Sequence, residues 1–194
     1  MIILLISEDR HSEYLREILE KCPNYEIYGC PESDTLKGSA LKQVAKCSKE
    51  KAKRLFGFIK GFIKTDRKFY NKSFIGFVFH IDAKEEESQT LEKNIITKFK
   101  KYLNLKEKEF QVFPCIAVQE IEAWLMAGLP EYHVSGITDK INNPKEELAK
   151  FWNMTINSKA FNQKRLEASQ KFDINKAKQH SNSFAKFWAN FCKN

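Results

Sequence analysis

The run Phe74-Ile75-Gly76-Phe77-Val78-Phe79-His80-Ile81 is aromatic and β-branched apart from Gly76 and stops at Asp82. A short, continuous apolar run of this kind reads as a fully buried strand. Two more runs behave alike. Phe110 to Val118 leads into Gln119-Glu120-Ile121-Glu122-Ala123-Trp124-Leu125, and Ile2-Ile3-Leu4-Leu5-Ile6 stops at Ser7-Glu8-Asp9. Buried strands that deliver acids at their ends are how an α/β sheet builds a polar site at one edge. In open parallel sheets that site lies beyond the carboxyl ends of the strands. Carboxylate oxygens there suit a hard divalent cation such as Mg²⁺ or Mn²⁺.

Helical segments alternate with these runs. Ser12 to Lys21 places Tyr14, Leu15, Ile18 and Leu19 on one face, with Ser12 as the expected N-cap. Tyr25–Tyr28 is a short second strand, and a polar loop follows over Cys30–Gly38. A basic helical region is expected from about Ser39 to Phe62, broken at Gly57 or Gly61. Glu85–Tyr102 and Ile121–Ala127 are further helices, the latter ended by Gly128 and Pro130. The alternation argues for an α/β three-layer fold with a mainly parallel four-stranded sheet. After Pro130 a loop over Tyr132–Asn143 leads to short helices near Pro144–Trp152 and Asn162–Ser169. A final helix starts at about Ser183, and its stripe Phe184, Phe187, Trp188, Phe191 must pack back onto the sheet layers. One domain is expected, with an α/β core over 1–128 and a helical extension over 129–194.

Charge is concentrated. The chain carries a formal +8, and the segment Leu41–Lys72 alone holds eleven basic residues against Glu50 and Asp66. Lys42, Lys46, Lys49, Lys53, Arg54, Lys60, Lys64, Arg67 and Lys68 therefore form a candidate nucleic-acid-binding set. The competing reading is a solvated helix face. Leu55, Ile59, Phe62 and Ile63 have helical spacing and read as core rather than as a base-stacking platform.

The five Cys (Cys22, Cys30, Cys47, Cys115, Cys192) are scattered and contain no C-x-x-C pair, so neither a disulfide framework nor a structural zinc site is expected. Cys115 reads as core. No apolar run approaches a membrane span, and the opening run is too short for a signal-peptide core, so a cytoplasmic setting is expected. P-loop, dinucleotide and G-x-S-x-G patterns are absent, and His11, His80, His133 and His180 have no zinc spacing.

The candidate metal ligands are Glu8, Asp9 and Asp82, and the candidate catalytic acids Glu8, Asp82 and Glu122. Glu8, Asp9 and Glu13 join Asp82 in one carboxylate cluster if the first and third strands are neighbours. Such crowding is costly unless a cation neutralises it. Asp82 has a second reading, as the N-cap of the helix after it. His80 shares a strand face with Asp82 and either orients it or is a sheet-end histidine. Glu120 and Glu122 are two apart, so at most one points into the site. Trp124 is a core anchor. Lys84, His80 and Glu120 complete the surroundings.

The segment Ile116-Ala117-Val118-Gln119-Glu120-Ile121-Glu122-Ala123-Trp124-Leu125-Met126-Ala127 resembles the I-E-A-W-L-L-A-D signature of the Toprim-like domain of unknown function 4276 family. Asn143-Pro144-Lys145-Glu146 and Ser181-Asn182-Ser183-Phe184-Ala185-Lys186-Phe187 resemble two further segments of that family. The family is related to the nuclease part of overcoming-lysogenization-defect proteins. The resemblance implies a Toprim-type fold, with a Glu after strand one and Asp-x-Asp after strand three binding Mg²⁺ for phosphodiester chemistry. It implies a bacterial defence or mobile-element nuclease, with a partner ATPase as an additional expectation. Three positions depart from the pattern. Lys84 stands at the second acid of Asp-x-Asp, Gly128 at the Asp closing the signature, and the Gly of the opening E-G-x-T-E is missing around Asp9-Arg10-His11-Ser12-Glu13. The alternative is a catalytically degenerate subunit that binds nucleic acid or a partner.

Overall fold

In the computed structural model, residues 1–9, 11–30, 39–46, 48–105 and 108–193 are described. Arg10, Cys47 and most of the expected polar loop (31–38) lie outside the described residues. The buried runs form four strands: β1 (Ile2–Ser7), β2 (Glu26–Gly29), β3 (Phe74–Ala83) and β4 (Glu109–Val118). All pair in parallel, in the order β2-β1-β3-β4. The connections are helical: α1 (Glu13–Glu20) between β1 and β2, α2 (Ser39–Lys46), α3 (Lys49–Thr65) and α4 (Arg67–Tyr70) before β3, and α5 (Glu85–Tyr102) before β4. After β4 come α6 (Ile121–Gly128), a 3-10 turn (Thr138–Lys140), α7 (Pro144–Phe151), α8 (Lys159–Gln170), α9 (Ile174–His180) and α10 (Asn182–Phe191).

Strand alternation sorts the core into two clusters and so makes three layers. Ile2, Leu4, Ile6, Ile75, Phe77, Phe79 and Ile81 pack with Leu55, Phe56, Ile59 and Phe99 of α3 and α5. Ile3, Leu5, Val78, Phe113 and Cys115 pack on the other face with α1, Trp124, Phe184 and Phe191. The architecture is consistent with a Toprim-like three-layer sandwich. The terminal aromatic stripe lies under α10 as expected, fully inside the second cluster, with Phe113 and Phe191 edge to face at 5.3 Å.

The topology fixes where a site forms. The chain leaves β1 through α1 on one face, and returns past it to β3 through α2–α4 on the other. The order therefore switches between β1 and β3, and their carboxyl ends flank the crevice where open α/β sheets bind ligands.

Three local expectations need correction. The basic helical region breaks around Ser48, not at a glycine: Ser48 caps α3 by accepting the Lys51 N–H at 3.2 Å, and α3 runs unbroken through Gly57 and Gly61. Ser12 makes no side-chain cap bond to α1. The scattered cysteines do form a disulfide, Cys22–Cys192, which ties the end of α1 to the end of α10 across 170 residues. Spacing rules read local Cys patterns and are blind to a bridge this long. No helix among the described residues is long and apolar enough to cross a membrane.

A Cβ added at Gly57 or Gly61 would meet nothing within 4 Å. Each is an exposed helix-interior glycine whose cost relative to alanine is backbone entropy, about 1 kcal/mol. Gly57→Ala and Gly61→Ala are each expected to raise the unfolding free energy by that amount, read as a higher urea midpoint with an unchanged m-value. A drop in midpoint would show that these positions are held bare by a contact outside the monomer. Gly128 is the opposite case, because a Cβ there would run into the Phe172 ring. The C-terminal segment thus closes over the position where the resembled family carries Asp.

Candidate functional site

Pairing of Ser7 with His80 brings the ends of β1 and β3 side by side. The Glu8 N–H donates to the His80 carbonyl at 3.2 Å, and Glu8 Oε1 accepts the Asp82 N–H at 2.9 Å. Asp82 Oδ1 accepts the Ile121 N–H at 2.8 Å and lies 3.2 Å from His80 Nε2. Asp82 therefore caps a helix, but not the one after it in sequence. Lys84 holds the N-cap position of α5, while Asp82 reaches across to the amino end of α6, where the helix dipole favours a carboxylate. Gln119, at φ 69°, makes the turn from β4 into α6 that sets this up. The N-cap residue Glu120 makes no cap bond of its own and instead accepts the Lys145 N–H at 3.0 Å.

Asp9 and Glu122 turn the other way, onto a residue the sequence reading missed. Arg165, on α8, is 1% exposed. Its Nη1 donates to Asp9 Oδ2 at 2.9 Å and to Glu122 Oε1 at 2.7 Å, and its Nη2 to Asn162 Oδ1 at 2.8 Å. The guanidinium lies 4.4 Å from the Tyr14 ring centroid, and the Tyr14 hydroxyl donates to Asp9 Oδ2 at 2.9 Å. Lys145 Nζ stands 3.8 Å from Glu122. A signal existed. The buried positions of α8 are Phe161, Arg165, Ala168 and Ser169, so an arginine occupies the i+4 slot of an inward-facing stripe. Glu13 is exposed on α1 and Lys84 is exposed beside β3.

The acids thus fall into two sets with different electrostatics. Burial pushes Glu8 up, the Asp82 charge adds to this, and His80, the Asp82 N–H and Lys42 pull against it. Burial would lower His80, but Asp82, Glu8 and Asp9 together outweigh it and His80 is raised. Burial also acts on Asp9, yet Arg165, the His11 N–H and Tyr14 together bring it down to about 2. Glu122 is so buried that it is pushed up to about 7 despite Arg165 and Lys145. Burial opposes the Arg165 charge, but Tyr14, Asp9 and Glu122 hold it on. Of the free thiols among the described residues, burial pushes Cys30 up to about 12 and Cys115 well above its ordinary value.

Among the described residues no group of three or more His, Cys, Asp or Glu is arranged to hold a metal ion. Glu8 and Asp82 each present one carboxylate oxygen, Oε2 and Oδ2, with no hydrogen-bond partner among the described residues. Two such oxygens match the way Mg²⁺ is commonly held, through one or two carboxylates with water and substrate phosphate completing the shell.

The basic segment also divides. Lys46 pairs with Glu87 at 2.8 Å, Arg54 with Glu50 at 2.7 Å, and Lys68 lies 4.3 Å over the Tyr28 ring. Arg67 is exposed on α4. Lys49, Lys53, Lys60 and Lys64 have no acidic partner among the described residues. On a regular α-helix these four lie within about 60° of one another along about 22 Å of α3. The row starts at the carboxyl edge of the sheet, next to α2, whose Lys42 acts on Glu8.

Comparison of the chain with protein-family models, curated proteins and solved structures finds no match.

Proposed function

We propose that this chain is a Toprim-like, metal-dependent nuclease or related phosphoryl-transfer protein acting on nucleic acid, in a bacterial defence system or mobile element. The observation that carries the reading is the convergence of Glu8 and Asp82 at the crevice between β1 and β3. Glu8 and Asp82 would hold Mg²⁺ or Mn²⁺, which when bound polarises a phosphate oxygen and lowers the pKa of water. Asp82 is held for that task by the Ile121 N–H and His80. The Lys49–Lys64 row and Lys42 would hold the phosphate backbone, giving salt-sensitive and sequence-tolerant binding. A cytoplasmic setting and a partner ATPase belong to the same reading.

A second reading is a non-catalytic nucleic-acid- or partner-binding subunit. It is favoured by Lys84 in place of an acid and by Arg165, which draws Asp9 and Glu122 away from Asp82. One experiment separates the two: Mn²⁺-dependent cleavage of plasmid, linear and single-stranded substrates by wild type and Asp82→Ala. Cutting by the wild type, reduced by about 100-fold or more in the variant, is expected if Asp82 stabilises the transferring phosphoryl group. Salt-sensitive binding with no cutting by either protein would replace the nuclease reading with the second one.

A further inference from the structure

His80 has no exposed surface, so both ring nitrogens must find partners inside the protein. Nδ1 lies 2.8 Å from Ser7 Oγ, and Nε2 lies 3.2 Å from Asp82 Oδ1. Ser7 Oγ in turn accepts the Asp9 N–H at 3.1 Å. A hydroxyl has one proton and two acceptor sites, and the Asp9 N–H fills one acceptor site. When His80 is neutral, the Ser7 proton has one partner among the described residues, the bare Nδ1, which leaves the ring proton on Nε2. When His80 is cationic, Nδ1–H donates to the second acceptor site of Ser7. In both states Nε2–H faces Asp82. The opposite neutral tautomer would set the bare Nε2 lone pair against a carboxylate oxygen and forfeit a buried hydrogen bond.

We propose that Ser7 is a positioning residue: bonded to Nδ1, it holds the His80 ring with Nε2–H on Asp82, and through His80 it aims the Asp82 carboxylate into the β1–β3 crevice. The chain of contacts continues outward. Asp9, whose N–H orients Ser7, is anchored by Arg165, so the C-terminal segment supports the same acid through an Asp9–Arg165 contact that spans 156 residues of sequence. The proposal rests on reading Asp82 as the working acid, while the proton position on His80 is independent of what the acid holds. Histidines and carboxylates that orient a ligating group from behind are worth about 10- to 100-fold in metal affinity.

The test uses the full ¹⁵N-labelled chain. Long-range ¹H–¹⁵N spectra at a pH where His80 is neutral assign its tautomer, and electron paramagnetic resonance measures Mn²⁺ affinity. Wild type and Ser7→Thr, which keeps the hydroxyl, are expected to show Nε2–H. Ser7→Ala is expected to keep Nε2–H on Asp82, to move the Nδ1 resonance as that nitrogen loses the Ser7 hydroxyl, and to bind Mn²⁺ about 10-fold more weakly. His80→Gln, whose amide N–H can still donate to Asp82, is expected to bind Mn²⁺ more tightly than His80→Ala. An Nδ1–H tautomer in the wild type, or unchanged ring nitrogens in Ser7→Ala, would overturn the assignment. A wild type with the Nε2–H tautomer but no Mn²⁺ uptake would sink the metal reading of the acids and leave the role of Ser7 in place.

Discussion

Arg165→Met is expected to cost about 3–5 kcal/mol of folding stability, because it leaves two carboxylates in the interior with their shared partner gone. For a chain of this size that corresponds to a fall in Tm of roughly 10 °C. Met approximates the volume of the side chain and keeps its packing on Tyr14 and Phe161, so the loss reports the charge rather than a cavity. Its pH dependence follows from the two acids. Asp9 is held at about 2 in the fold against 3.8 ordinarily, so its contribution is present above pH 3.8 and is lost as pH falls towards 2. Glu122 is raised to about 7 from 4.5, so its contribution is full below pH 4.5 and is lost as pH rises through 7. Removing Arg165 lets Asp9 drift up and pushes Glu122 further up. The difference between wild type and variant must therefore be larger at pH 8 than at pH 5. Urea unfolding at both pH values measures it. A loss under 1 kcal/mol, or one equal at the two pH values, would mean that Arg165 does not neutralise this pair.

That prediction turns on a contact whose burial left a trace in the α8 stripe but whose partners no sequence pattern announces, and it shows where legibility ends. Strands β1 and β3 were readable because a buried parallel strand must be apolar on both faces, so its ends are marked by the first polar residues. Those residues are the acids, which is why Asp82 and Glu8 could be named before their neighbourhood was known. Whether they meet depends on strand order, and the β2-β1-β3-β4 order answers it. Arg165 lies 156 residues from Asp9, on a helix whose surface otherwise reads as polar, so its partner choice is purely tertiary. Helix α9 was missed because its seven residues bury only Ala177 and are held by the Asp173 cap, which gives no apolar stripe to read. The expected break at Gly57 or Gly61 fails for an energetic reason. The propensity cost of glycine is about 1 kcal/mol, while burial of Leu55, Phe56, Ile59 and Ile63 returns about 1.5–3 kcal/mol per side chain.

Cys192→Ser is expected to lower stability by about 4–5 kcal/mol, since opening a loop of 170 residues restores a large conformational freedom to the unfolded chain. The substitution belongs at Cys192, which is part-exposed, because Cys22 is fully buried and a hydroxyl there would bring its own desolvation cost. The folded state should change little. Phe184, Phe187, Trp188 and Phe191 still bury the face of α10, and the Trp124 Nε1–H still donates to Ser183 Oγ at 2.6 Å. Tryptophan fluorescence of the native protein is therefore expected to match wild type while the urea midpoint falls, and dithiothreitol should reproduce the shift in wild type alone. A midpoint unmoved by reductant would mean that docking of α10, not the crosslink, holds the two ends together. The same bond bears on the proposed cytoplasmic setting, where thiols are kept reduced. Thiol trapping at lysis followed by mass spectrometry decides the matter. A Cys22–Cys192 peptide pair recovered intact requires either an oxidising compartment or a bond stable enough to resist the glutathione pool, and the measured stability difference between the oxidised and reduced chain says which of the two is energetically open to it.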